Sequence, residues 1–123
     1  MREDIARAFQ SISQSAPGRI IAAFLFREDQ EVFRGHFPGN PVLPGVFQIE
    51  MVKFALEVGR QGRYRLARIE KCKFTKLVRP GQVVTVSAAW SERDGITEVK
   101  ATLDCGGSPV AKMALSLLAE ADG

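Results

Sequence analysis

The stretch Gly35-His36-Phe37-Pro38-Gly39-Asn40-Pro41-Val42-Leu43-Pro44-Gly45 runs straight into Val46-Phe47-Gln48-Ile49-Glu50-Met51-Val52-Lys53-Phe54-Ala55-Leu56-Glu57-Val58-Gly59. The first part packs three glycines and three prolines into eleven residues. Proline fixes φ and has no N–H to donate, so this part is neither helix nor central strand but a stiff loop. The second part changes character. Its pattern predicts a helix over Val46–Val58, with Pro44 suited to the first turn and Gly59 as the stop. Apolar side chains occupy most of the helical circumference, and only Glu50, Lys53 and Glu57 share a polar stripe. A helix this apolar is covered on most sides.

What covers it is legible further along. Leu66 to Val78 reads as a strand whose alternation slips phase near Glu70-Lys71, the signature of a bulge. Gln82 to Trp90 is a second strand, and Arg93-Asp94-Gly95 a hairpin turn. Thr97, Val99, Ala101, Leu103 and Cys105 then alternate as one face of a third strand. Gly106-Gly107 turns the chain into a last strand over Val110 to Leu118. On the N-terminal side, Arg19 to Arg27 reads as a buried strand, Asp29-Gln30 as a turn and Glu31 to Arg34 as a short return strand. Ahead of them, Ile5, Ala8, Phe9 and Ile12 form one stripe of an expected short helix over Glu3 to Ile12, ended by Pro17-Gly18. The class is therefore α+β, an antiparallel sheet wrapped around one long central helix.

The 123 residues suit one domain, expected over 1–123, and 46% hydrophobic with 25% charged is the balance of a globular chain. No apolar run approaches the roughly 18 residues of a membrane span, and the acidic start Met1-Arg2-Glu3-Asp4 is no secretory leader. Two cysteines, Cys72 and Cys105, without metal-ligand spacing, and a single histidine argue against zinc and for free thiols in a cytoplasmic protein. The net charge is +3, but its distribution is uneven. Residues 53–79 carry nine basic side chains against Glu57 and Glu70, which makes +7 there and leaves −4 on the rest. Such asymmetry fits an acidic partner or a phosphate-bearing ligand as well as a merely solvated surface. Aromatics are too sparse among these charges for nucleic-acid stacking.

Three residues offer chemistry. His36, held in the stiff loop, is suited to act as a general base, though a lone histidine is more often an ordinary surface residue. Glu50 lies about 7.5 Å along the helix from Gly45 at 1.5 Å per residue. A carboxyl on so apolar a helix is a candidate general acid, and equally one member of a solvated stripe with Lys53 and Glu57. Gly45 leaves an unpaired N–H at the helix N-terminus, where a developing oxyanion is stabilised, or it simply eases the turn into the helix.

The run Gly35-His36-Phe37-Pro38-x-x-Pro41-Val42-Leu43-Pro44-Gly45-Val46-Phe47-x-x-Glu50 resembles the active-site motif of bacterial 3-hydroxyacyl-[acyl-carrier-protein] dehydratases of the hotdog superfamily. The fourteen-residue separation of His36 and Glu50 matches that motif, and Lys73-Phe74-x-x-Leu77-Val78-x-Pro80-Gly81 resembles the family strand and turn after the helix. The resemblance implies a hotdog fold and a site shared by two protomers, the histidine from one and the acid from the other. It implies His36 as base, Glu50 as acid, and Gly45 with Val46, Phe37 and Phe54 at the substrate. The implied reaction eliminates water from a 3-hydroxyacyl thioester to give the trans-2-enoyl thioester, with no cofactor or metal. The implied partners are an acidic acyl carrier protein and a second copy in a homodimer or higher oligomer, with neither nucleic acid nor membrane. The chain departs from the family pattern at Arg19-Ile20-Ile21, which stands near a missing Pro-His-Arg-Tyr-Pro-Phe-type segment, at Phe54 where many members have glutamine, and at Met51 and Lys53 where small residues are usual. Larger side chains of this kind suit shorter or differently shaped acyl groups. A hotdog thioesterase and a non-catalytic acyl-carrier-binding subunit are the competing readings.

Overall fold

A computed structural model describes residues 1–34 and 39–120. Helix α1 (Arg2–Ala8) leads into β1 (Phe9–Ala16) and β2 (Arg19–Leu25), and a 3-10 turn (Glu31–Phe33) follows. Helix α2 (Gly45–Arg60) comes next, then β3 (Tyr64–Phe74), β4 (Val83–Arg93), β5 (Ile96–Cys105) and β6 (Ser108–Ala119). The six strands make one antiparallel sheet in the order β1-β2-β4-β5-β6-β3. α2 lies on its inner face, as the sequence predicts. No described helix is long and apolar enough to cross a membrane.

Register explains the core. Partners across an antiparallel pair share a face, so Ala22, Val86, Leu103, Ala111 and Phe74 form one row across five strands, and Ile20, Ala88, Ala101, Met113 and Cys72 the next. Met51, Val52, Ala55 and Leu56 of α2 are buried beneath this inner face. The hairpins close as expected: Asp94-Gly95 and Gly106-Gly107 all have φ between 52° and 83°, the positive values that two-residue turns require. The expected phase slip in β3 is a register shift between Ile69 and Lys71, joined by a second between Leu66 and Arg68.

Four expectations are corrected. The N-terminal helix stops at Ala8 and becomes β1 at Phe9. Its stripe is misleading because a register shift between Phe9 and Ser11 puts both Phe9, opposite Phe24, and Ile12, opposite Ala22, on the inner face. A bulged strand thus imitates helical spacing. Glu31 to Arg34 is a 3-10 turn rather than a strand, closed by Phe33 N–H donating to Gln30 O and Arg34 N–H to Glu31 O, with Val32 and Phe33 both buried. Gly59 is inside α2, not its stop; a β-carbon there would sit 3.2 Å from Ile20 and 3.3 Å from Ile12, a tight fit that favours glycine. The helix ends at Gln61 in the left-handed region, with Gly62 N–H donating to Glu57 O and Gln61 N–H to Val58 O, the Schellman arrangement. Finally, Glu57 leaves the polar stripe. It is buried, pairs with Arg2 of α1 and accepts the Tyr64 N–H at 2.9 Å.

Candidate functional site

Pro44, with extended backbone, is the N-cap of α2, and Gly45 is its first residue. N–H groups in this first turn have no intrahelical partner, so Gly45 can present an amide at the positive end of a sixteen-residue helix. The space in front of its α-carbon is already taken. A β-carbon on Gly45 would lie 2.7 Å from the Phe74 ring, the last residue of β3. Steric demand from within the chain is therefore one reason for glycine here. Sequence reasoning had no means of pairing residues so far apart. Val46, next in the helix, is exposed, and with Phe74 and Leu77 it is among the large apolar side chains left in water.

Glu50 is one and a half turns further on. Its side chain keeps 26% of its exposure, and Oε2 is 3.2 Å from Lys53 Nζ, itself 21% exposed. The stripe of Glu50 and Lys53 is thus a part-buried ion pair. A cavity of about 70 Å³ adjoins it, lined by Arg2, Phe54, Glu57, Arg63, Tyr64 and Glu120 among others. That volume holds a few waters and no acyl chain. A larger trough of about 640 Å³ opens elsewhere, over Ala89, Lys100, Ala114 and Ser116 of the sheet.

Phe54 is buried in a triad of edge-to-face rings with Phe9 and Phe24, centroids 5.6 and 6.1 Å away, and the Arg2 guanidinium lies 4.9 Å from its ring centroid. Each such aromatic pair adds about 0.5–1.5 kcal/mol beyond its buried area. His36 and Phe37 lie outside the described residues. The described part of the expected loop, residues 39–44, contains no helix or strand, as its prolines dictate, and it is tied to the sheet side of the molecule by Leu43 N–H donating to Val78 O at 2.7 Å.

Gln48 was not singled out by sequence reasoning. It is buried on α2, and its Oε1 has no hydrogen-bond donor among the described residues. No group of three or more His, Cys, Asp or Glu side chains among the described residues is placed to hold a metal.

The basic stretch is now resolved into parts. Lys53 pairs with Glu50, Arg60 with Glu92 and Arg68 with Glu70. Arg60 also caps the far end of the core, 3.8 Å from the Trp90 ring centroid and donating to the Tyr64 hydroxyl at 2.6 Å. Among the described residues, Arg63, Arg65, Lys71, Lys73 and Lys76 make no ion pair. Lys73 stands directly opposite Lys112 on β6, an unfavourable like-charge pair that an anion would relieve.

Comparison with known proteins adds the following. A family model described as ApeI-like, ApeI dehydratase, matches residues 12–112. A 3-hydroxyacyl-[acyl-carrier-protein] dehydratase FabZ of Enterococcus faecalis is 32% identical over 122 residues, 91% of this chain and 80% of that protein. The protein of the same name from Lactobacillus helveticus is 40% identical over 80 residues, 58% of this chain and 54% of that one. The match thus spans little more than half the length of several curated relatives. Among solved structures, the dehydratase heterocomplex ApeI:P from Xenorhabdus doucetiae superposes with a TM-score of 0.74 at 24% identity, covering 89% of this chain and 96% of that one. A hypothetical thioesterase with coenzyme A from Streptococcus pneumoniae gives 0.68 at 10% identity, over 97% and 93%. Likeness at such identities establishes the shared hotdog architecture and nothing about chemistry.

Proposed function

Because the chain belongs to the ApeI-like dehydratase family, matched across residues 12–112, we propose that it eliminates water from a 3-hydroxyacyl thioester carried on an acyl carrier protein. His36 takes a proton from the carbon next to the thioester carbonyl. The Gly45 amide holds the carbonyl oxygen as negative charge gathers there. Glu50 gives a proton to the departing hydroxyl, the C–O bond breaks, and the trans-2-enoyl thioester and water remain. The proton on the imidazole then returns to the carboxylate. Acid–base groups of this kind each contribute about 10²–10⁴-fold, and one oxyanion donor about 3–4 kcal/mol.

The observation that carries this reading is Glu50, a part-exposed carboxyl on a largely apolar helix, five residues after the glycine at its N-terminus. A second chain completes the slot. Among the described residues the cavity beside Glu50 is about 70 Å³, and apolar side chains of β3 on the inner face stand in water, Ile69 at 45% and Phe74 at 44% exposure. Burying such surface stabilises an assembly by about 25 cal/mol per Å². A homodimer through β3 meets this need. The unpaired Arg65, Lys71, Lys73 and Lys76 suit an acidic carrier. The free thiols Cys72 and Cys105 suit a reducing cytoplasm.

The test is turnover of a panel of 3-hydroxyacyl carrier-protein thioesters, following enoyl product and free thiol together. Wild type is expected to form enoyl thioester without thiol, and Glu50→Gln and His36→Ala to lose at least about 10²-fold. Release of thiol would favour a thioesterase, and carrier binding without any turnover would favour a docking subunit.

A further inference from the structure

Lys53 is the feature of this site that the proposed reaction leaves unused. It stands one turn beyond Glu50, with Nζ 3.2 Å from Glu50 Oε2 and 3.4 Å from the carbonyl oxygen of Tyr64 at the start of β3. The Tyr64 carbonyl on β3 anchors the ammonium, and the ammonium attracts one carboxylate oxygen as an ion pair. Among the described residues nothing is bonded to the other oxygen, Oε1. An ammonium anchored beside one oxygen biases the carboxylate's last torsion, so Oε1 favours one direction. Free rotation of a side chain end lost in advance is rate gained at the chemical step.

The other charges around the pair do not compete for this role. Arg2 of α1 is engaged with Glu57 of α2. Arg63 and Tyr64 at the start of β3 and Glu120 after β6 line the adjoining cavity. The Tyr64 hydroxyl accepts from Arg60. Lys53 is the one cation within ion-pair distance of Glu50 among the described residues.

We propose that Lys53 is a positioning residue for the elimination, clamping Oε2 of Glu50 to the β3 backbone so that Oε1 faces the departing hydroxyl. The inference rests on the reading of Glu50 as the acid.

The experiment compares Lys53→Met, Lys53→Arg and Glu50→Gln in the full chain, with thermal unfolding to confirm that each folds. Lys53→Met is expected to lower kcat about tenfold or more with KM nearly unchanged. Lys53→Arg, which preserves the charge and can reach both partners, is expected to recover most of kcat. A Lys53→Met enzyme with wild-type kcat, or a Lys53→Arg enzyme no better than Lys53→Met, overturns the inference while an inactive Glu50→Gln leaves the dehydratase reading standing. An active Glu50→Gln overturns both.

Discussion

At one edge of the sheet β1 presents Gln10, Ser11, Ser13, Gln14 and Ser15 to water, an eight-residue strand without a charge and with two register shifts. At the other edge β3 runs eleven residues and carries Arg65, Arg68, Lys71 and Lys73. The inner faces differ more than the outer ones. Phe9 and Ile12 of β1 are partly buried, packed against a core that includes Phe54, and α1 lies on the same side of the molecule. Ile69 and Phe74 of β3 lie in the same inner-face rows as Leu115 and Ala111, yet each is nearly half exposed. Short, polar, bulged strands are how a protein blunts an edge it intends to leave open. β1 follows that rule. β3 is bulged and charged on its outer side, which discourages indiscriminate pairing, but its inner side is apolar core surface without a described cover. The difference teaches that the fold is closed on one side and unfinished on the other, and that the unfinished side is the one bordering Gly45.

The comparison breaks most visibly with a charge on each edge. Ile69→Asp is expected to turn an assembled protein into single chains by sedimentation, and to lower turnover by about 10²-fold or more, as loss of a partner's acid–base group would. Ser13→Asp on β1 should change neither. An Ile69→Asp protein that stays assembled and active would show that β3 is an ordinary edge. The outer side of β3 gives a smaller effect. Lys71→Glu with Lys73→Glu should raise KM for a carrier-protein thioester about tenfold, equivalent to 1.4 kcal/mol, and raise it less for a pantetheine thioester of the same acyl group. Ser11→Glu with Ser13→Glu is the matched control. Equal rises for both substrates would place the carrier elsewhere.

Much of this contrast could be foreseen from residues. The central helix, five of the six strands, both glycine-containing hairpins and the β3 bulge all follow from periodicity and turn chemistry, which are local. So does Glu50 as a polar intrusion on an apolar helix. What could not be read is whatever depends on contacts between distant residues. β1 was hidden because its bulge gives Phe9 and Ile12 the spacing of a helix. Glu57 looked solvated because its partner Arg2 is fifty-five residues away. The role of Gly59 needed Ile12 and Ile20, and that of Gly45 needed Phe74. Phe54, expected at the substrate, sits in a ring cluster with Phe9 and Phe24 whose members come from three elements.

The join between β3 and α2 offers a third effect. Gly45 is helical, so alanine suits its backbone, but the new methyl meets the Phe74 ring. Overpacking of this kind costs about 1–3 kcal/mol, and a ring half in water can yield, so Gly45→Ala should lie at the low end in denaturant unfolding. Removing the ring as well, in Gly45→Ala with Phe74→Ala, should show strong non-additivity. Additive losses would mean that the two residues do not press on each other.

The smallest effect uses the two thiols as reporters. Burial holds the Cys72 thiol above its ordinary pKa, and burial followed by the neighbouring Asp104 does the same for Cys105. The thiolate is the nucleophile, so at pH 8 both should be alkylated by iodoacetamide more slowly than free cysteine, with rates that keep climbing as pH rises through the elevated values. Cys72 lies on β3 opposite Met113, on the inner face, whereas Cys105 lies on β5 with β6 between it and that edge. If a second chain covers β3, Cys72 is protected beyond what its own burial in one chain provides. Ile69→Asp should then speed alkylation of Cys72 by a few-fold and leave Cys105 unchanged, measured by mass spectrometry of the two peptides. Equal rates at Cys72 in the two proteins would mean that the inner side of β3 is as open in solution as it is in the single chain, and the contrast between the edges would reduce to charge alone.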